Sequence, residues 1–412
     1  MATEQPNIFI ARQPIFRRNQ KVFAYELLYR AGLVNAYDPN QDGEQATSKV
    51  ITNSFLMIGI ATITEGKRAF INFSEEMLLQ GYPGLFPKDL VVVEVLETVG
   101  TTPEVVKACE GLVRKGYVLA LDDFLYDDRF LPLIRLSKII KFDIRQMEFA
   151  ELERQVEIVK RQGVKLLAEK IETKEEFEAT KSLGFDLFQG YFFSKPNIVQ
   201  GRDIPGSKLQ YLKILRMLQD ENCDFPKLAG VINHDVSLAY KLLKYVNSAY
   251  FARINAARST QEAVSMLGEL HLRKWLSLMM LSYLAEDKPS ELLRMSAFRG
   301  SLCELIAGQL LGRKGEQAAF HTVGMFSLLP ALLDKPMAEV VRELPLGPSV
   351  IDALLDRGVS PLHQTLSLVE AYERGNWVEA GRLVAGLGVR AEHIPLLYAQ
   401  SLEIVQSYGF TD

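Results

Sequence analysis

Residues 117–143 read YVLALDDFLYDDRFLPLIRLSKIIKFD. The stretch opens and closes on short apolar runs, YVLALDD (117–123) and KIIKFD (138–143), with a longer amphipathic piece between them. Short runs rich in Val, Ile, Leu and Phe read as buried strands, and the piece between reads as a helix. The alternation continues in both directions. IFIA (8–11), FAYELLYR (23–30), AFINF (69–73), LVVVEV (90–95), VKLLAE (164–169) and LFQGYFF (187–193) are further strand-like runs. Thr102-Pro103-Glu104 carries the cap, the proline and the acid of a helix start, and Thr173 with Glu176 makes a capping box. Strand–helix alternation of this length predicts a parallel sheet with helices on its faces. A TIM-like (β/α)8 barrel is the expected closure, with an open doubly wound sheet as the alternative.

Residues 196–207, PNIVQGRDIPGS, hold two Pro and two Gly and read as a linker. Beyond them the period becomes helical. Leu238, Leu242, Val246 and Tyr250 recur every four residues, Ser259 and Glu262 form another capping box, and Ser360-Pro361 is a cap before a first-turn proline. The expected organisation is therefore two domains: an α/β barrel over 1–200, and an all-helical domain with a C-terminal helical extension over 201–412.

Composition narrows the function. Net charge is -4, so binding of nucleic acid through bulk charge is not expected. Cys109, Cys223 and Cys303 are far apart and form no CxxC, which speaks against a disulfide framework or a zinc site. The first residues, MATEQPN, lack the order of a signal peptide, and no apolar run reaches the ~18 residues of a membrane span. A cytoplasmic protein without a membrane partner is expected. All five His lie at or beyond position 234, so chemistry in the first domain runs without histidine.

Barrel enzymes place their chemistry at the C-terminal ends of the strands. Polar residues recur there in this chain: Glu26, Asn72, Glu94, the Asp122-Asp123 pair, Lys141, Glu169 and Gln189. A carboxylate in an apolar run is costly unless it is paired or bound to a cation. Several of them converging with an Asn suit Mg²⁺ or Mn²⁺. Two such ions can polarise a phosphodiester and activate water.

These residues carry a resemblance. ARQPIF with FAYELLYR, INFSEEML, VVVEVLE, LALDDF, IIKFD, AEKIET and FQGYFFSKP appear in the order and spacing of the EAL family of cyclic di-GMP phosphodiesterase domains. By that resemblance Glu26, Asn72, Glu94, Asp122 and Asp123 match metal-binding positions. Lys141 matches the lysine that helps hold the attacking water. Glu169, Glu172 and Gln189 match further active-site positions, with Glu172 placed among the metal-site residues. Arg30 matches an arginine associated with the ligand phosphate. Glu97 matches the glutamate that steadies the loop after the aspartates.

The departures define two readings. The signature Glu-Ala-Leu is Glu26-Leu27-Leu28. The loop usually written DDFGTG is Asp122-Asp123-Phe124-Leu125-Tyr126-Asp127, without its glycines. In the family this loop couples dimerisation to metal binding, so a homodimer is compatible with the resemblance but its support is weakened. The family's Ala-Glu-Gly is Ala168-Glu169-Lys170, and an inward Lys170 would repel or replace a divalent ion. The favoured expectation is a degenerate EAL domain acting as cyclic di-GMP sensor or scaffold. The alternative is an active Mg- or Mn-dependent cyclic di-GMP phosphodiesterase.

The second half resembles the HDOD family, a signalling output domain, best over LAGVINHDVSLAYKLLKYVNSAYF (228–251) and AVSMLGELHLRKW (263–275). His234-Asp235 invites a metal reading, but no His precedes it and no second His-Asp pair follows. Phe326-Ser327-Leu328-Leu329-Pro330, where related metal enzymes carry ligands, has none. The resemblance implies a non-enzymatic domain without cofactor that contacts a signalling protein.

Overall fold

The structure is a computed structural model that describes residues 8–31, 59–195, 236–247, 259–285, 287–311, 317–344 and 346–410, with isolated positions between 211 and 257. Two compact units emerge. One gathers the described residues up to Lys195 together with Glu370–Ala399, and the other the rest. The expected boundary near 200 would leave all later residues in the helical domain. The structure groups 370–399 with the barrel, because Phe9 on the first strand packs its ring against Tyr372 and Trp377 at centroid distances of 6.4 Å each.

Eight strands close the barrel in chain order: β1 (Ile8–Arg17), β2 (Val22–Ala31), β3 (Arg68–Phe73), β4 (Val91–Val95), β5 (Val118–Leu121), β6 (Ile139–Asp143), β7 (Lys165–Glu169) and β8 (Leu187–Gln189). From β2 to β8 neighbours run parallel, but β1 is antiparallel to both β2 and β8. The expected all-parallel sheet thus has one reversed member. No helix separates IFIA from FAYELLYR. The chain turns tightly, with Arg17 N donating to Lys21 O at 2.9 Å and Gln20 at φ 60°.

The helices begin where their caps stand. Thr102 Oγ1 accepts from Val105 N ahead of the helix Pro103–Arg114, and Thr173 with Glu176 completes both halves of its box ahead of Lys174–Leu183. The barrel interior is filled by one residue from each strand: Ile15, Ala24, Phe70, Val92, Ala120, Ile139, Leu167 and Leu187. Strand side chains alternate, so the residue two positions along each strand points into the same interior, one layer away.

The secondary-structure elements among the described residues of the second unit are helices, including Val236–Val246, Thr260–Leu284, Ser290–Leu311 and Gln317–Phe326. Ser259 Oγ accepts from Glu262 N at the head of the second of these, and the helix kinks at Gly268 (φ 69°, ψ 171°). His234-Asp235 and the 196–207 linker lie outside the described residues. No described helix is long and apolar enough to cross a membrane.

His321 in this unit is fully buried, and burial together with Lys274 pushes its pKa down to about 3. In the unfolded chain its value is about 6.5. Below that pH the unfolded state gains a proton that the folded state refuses, so stability present above pH 6.5 is lost as pH falls. The slope approaches about 1.4 kcal/mol per pH unit. Calorimetry between pH 7 and 5 is therefore expected to show a steeper fall in Tm for the wild type than for His321→Gln. Parallel profiles would contradict the assignment.

Candidate active site

The polar layer of the barrel follows from the apolar one by counting two residues. Ala24 leads to Glu26, Phe70 to Asn72, Val92 to Glu94, Ala120 to Asp122, Ile139 to Lys141, Leu167 to Glu169 and Leu187 to Gln189. All seven were marked in the sequence, and the structure brings them to one end of the barrel. The remaining strand, β1, supplies Gln13, two residues before Ile15 because β1 runs backward. Gln13 was not singled out in the sequence. Its signal was present in ARQPIF, but reading it required the reversed direction of the strand.

Lys141 is the hub. Its Nζ lies 2.7 Å from Asp122 Oδ1, 2.7 Å from Glu169 Oε1 and 3.4 Å from Glu26 Oε2, and it also contacts Glu94 Oε1. The Lys141 and Glu94 side chains are 1% and 0% exposed, so this network is removed from water. Burial opposes the charge of Lys141, yet the four carboxylates outweigh it and hold the pKa well above the ordinary lysine value. Burial pushes Glu94 well above the usual carboxylate range, with Lys141 opposing and the neighbouring acids adding to the rise. Glu169 is pushed up to about 8, again mainly by burial.

Hydrogen bonds orient the rest. Asn72 Nδ2 donates to Glu26 Oε1 at 3.2 Å, and Gln189 Nε2 donates to Glu26 Oε2 at 2.7 Å. Asn72 Oδ1, Glu94 Oε2 and Gln189 Oε1 remain buried acceptors without a hydrogen-bond donor. One ammonium serves four carboxyl groups, and Glu94 and Glu169 are pushed toward their protonated forms for want of further positive charge. Among the described residues, Asp122, Asp123 and Glu169 form the group whose ligand atoms lie within 4.8 Å of one another. Oxygen donors, unsatisfied acceptors and a charge deficit together fit a hard divalent cation.

Lys170 does not enter this hub. Its Nζ pairs with Asp143 Oδ2 at 2.5 Å, lies 4.0 Å from Asp123 Oδ2, and its side chain is 56% exposed. Its backbone has φ 57°, the left-handed conformation that a glycine adopts freely, and Asp123 is left-handed too at φ 39°. Lysine thus occupies a glycine-like backbone position with its ammonium turned toward the rim. The loop after Asp123 is held by side chains. Phe124 is buried, Tyr126 N donates to Gln155 Oε1 at 2.9 Å, and Asp127 Oδ1 accepts from Arg129 N at 2.8 Å. Beside it lies a cavity of about 310 Å³ lined by Glu97, Asp122, Asp123, Phe124 and Leu125 among others.

Glu172 stays at the rim, where Lys195 (2.6 Å) and Arg145 (3.4 Å) take its carboxylate. Arg30 stands four residues beyond Glu26 on β2 and is half-buried.

The EAL domain family matches residues 70–196 and the HDOD domain family residues 204–339. An uncharacterised protein of Bacillus subtilis, YuxH, is 36% identical over 404 residues, covering 96% of this chain and 97% of its own. The chain belongs to the EAL–HDOD family. Within it, the cyclic di-GMP phosphodiesterase CdgJ of Vibrio cholerae is 35% identical over 402 residues, covering 95% of this chain and 91% of that protein. Among solved structures, a standalone EAL protein of Vibrio cholerae bound to cyclic di-GMP is 21% identical, with 47% of this EAL–HDOD chain and 93% of that chain covered and a TM-score of 0.37.

Proposed function

We propose that the barrel is a divalent-metal-dependent phosphodiesterase that opens cyclic di-GMP to the linear dinucleotide. The observation that carries this is the convergence of Glu26, Asn72, Glu94, Asp122, Lys141 and Glu169 at one end of the barrel, with Lys170 paired to Asp143 and reaching the set only at Asp123, 4.0 Å away. The near full-length likeness to CdgJ supports the same substrate.

In this reading Glu26, Asn72, Glu94, Asp122 and Asp123 hold Mg²⁺ or Mn²⁺, and Glu172 is left at the rim. Such ions, when bound, polarise the phosphodiester and activate water. Lys141 is kept charged by its carboxylates and donates hydrogen bonds toward the reacting centre. Glu169, 2.7 Å from Lys141 Nζ and within 4.8 Å of the Asp122 and Asp123 ligand atoms, stands where a general acid–base group beside the bound ions would act. Arg30 and Gln189 orient the ligand, Gln189 through its open Oε1. The helical domain serves as the protein-contact output.

A sensor that binds without turnover is the second reading. It is favoured by the glycine-free loop at 124–127, pinned by Phe124 and Tyr126. The test is incubation with cyclic di-GMP and Mn²⁺ or Mg²⁺, followed by chromatography. Linear product is expected, lost on adding EDTA and regained with excess metal. Saturable binding with no product under any metal would overturn hydrolysis in favour of sensing.

A further inference from the structure

Residues 370–399 lie beyond both matched family ranges, yet they pack into the barrel unit. Their anchor is aromatic. Tyr372 and Trp377 stand edge-on at 5.0 Å, Tyr372 lies 5.2 Å from Tyr398, and both Tyr372 and Trp377 meet Phe9. Tyr398 Oη accepts from Arg12 N at 3.0 Å. These contacts hold the turn after Glu373 over the polar end of β1.

That turn is connected to the candidate catalytic centre by hydrogen bonds. The Glu373 carbonyl accepts from Tyr191 Oη at 3.2 Å and from Gln13 Nε2 at 3.4 Å. Gln13 Nε2 also donates to Tyr191 Oη at 3.3 Å. With its nitrogen committed to these acceptors, Gln13 turns Oε1 toward Gln189 Nε2, which donates to it at 3.1 Å. The same Gln189 nitrogen donates to Glu26 Oε2 at 2.7 Å. The order Glu373 carbonyl, Gln13, Gln189, Glu26, Lys141 is therefore continuous. If the carbonyl withdraws, the Gln13 amide is free to flip and present a donor to a donor, and Gln189 loses its hold. The turn also passes close to β2: a Cβ added at Gly375 (φ 65°) would come within 2.7 Å of Leu28 Cδ1, the side-chain end of a residue two positions along β2 from Glu26.

We propose that 370–399 is a positioning element of the phosphodiester site, setting the orientation of Glu26 through Gln13 and Gln189. The inference rests on the phosphodiesterase reading for its rate consequences, but its geometry stands apart from turnover. Gln13 and the Glu373–Gly375 turn act through Glu26, so they are positioning residues. Partners of a metal-site ligand commonly change affinity or rate by about 10–100-fold when altered.

The test uses the full chain with Tyr191→Phe, Gly375→Val and, as control, Arg382→Ala, an exposed side chain paired with Glu379 in the same segment. Mn²⁺ affinity is read by electron paramagnetic resonance, and kcat and KM for cyclic di-GMP are read separately. The expected result is a drop of about 10-fold or more in Mn²⁺ affinity and kcat for Gly375→Val, and a smaller drop for Tyr191→Phe. KM and the Arg382→Ala control should hold steady. Tyr191→Phe decides the matter if Gly375→Val does not fold, since it removes one hydroxyl only. Wild-type affinity and kcat in a folded Gly375→Val, or in Tyr191→Phe where that variant alone folds, would overturn the proposal. A wild type that binds Mn²⁺ without turnover would defeat the phosphodiesterase reading alone, and the Mn²⁺ arm would still decide this one.

Discussion

Replacing Lys141 with Met is expected to cost about 3–5 kcal/mol of stability in metal-free protein at neutral pH. The ammonium is the shared partner of Glu26, Glu94, Asp122 and Glu169. Removing one member of a buried ionic group leaves the rest uncompensated, and that penalty exceeds the loss of the pair itself. Relief is available in two ways, and both give the prediction a signature. The carboxylates can take up protons. Their folded pKa values would then stand above the unfolded values, so stability is present at low pH and lost as pH rises through the folded values. Glu94 and Glu169 are already raised in the wild type, so the Tm of Lys141→Met should climb more steeply than that of the wild type as pH is lowered from 8 toward 5. Alternatively Mn²⁺ can supply the missing charge and stabilise the folded state by mass action. Saturating Mn²⁺ should raise the Tm of the variant more than that of the wild type. A variant as stable as the wild type without metal, at every pH, would mean that the four carboxylates do not depend on Lys141.

Gly190→Ala should be nearly as damaging, by about 3 kcal/mol or more, for a steric reason. Gly190 follows Gln189 at φ 143°, a backbone conformation that side-chain-bearing residues rarely adopt. A Cβ there would meet Ile171 O at 2.0 Å and Ile171 N at 2.5 Å. Both atoms are already bonded around the glycine: Ile171 N donates to Gln189 O, and Phe192 N donates to Ile171 O, each at 3.1 Å. Backbone cannot swing aside as a flexible side chain can. The two segments must separate, carrying Glu169 and Gln189 away from Lys141. Urea unfolding should show a lower midpoint, and any activity should fall with it. An unchanged midpoint would show that the β8 turn tolerates a side chain.

The polar layer was legible because its grammar is local. Each of seven strands shows an apolar residue that fills the barrel and, two positions on, a polar one that lines the site. Gln13 escaped notice because β1 runs antiparallel, so its polar member precedes Ile15. Lys170 stood out in the sequence as a cation beside a carboxylate, but its direction depends on a left-handed φ that no residue pattern displays. The docking of 370–399 was the least legible element. Arg12 and Tyr398 meet across 386 residues, and nothing local announces such a contact. Glu172 illustrates the opposite case. The motif flagged it, while its exposed position beside Lys195 gives its charge to the rim.

The carboxylates around Lys141 are, in the function proposed above, the working centre of a cyclic di-GMP phosphodiesterase. The most direct test compares initial rates of linear dinucleotide formation, with Mn²⁺, for the wild type and for Glu26→Gln, which keeps the shape of the side chain and removes its charge. Steady turnover is expected from the wild type, and a loss of at least about 100-fold in the variant. Equal rates in the two proteins, or no product from a folded, Mn²⁺-loaded wild type, would contradict the proposed function.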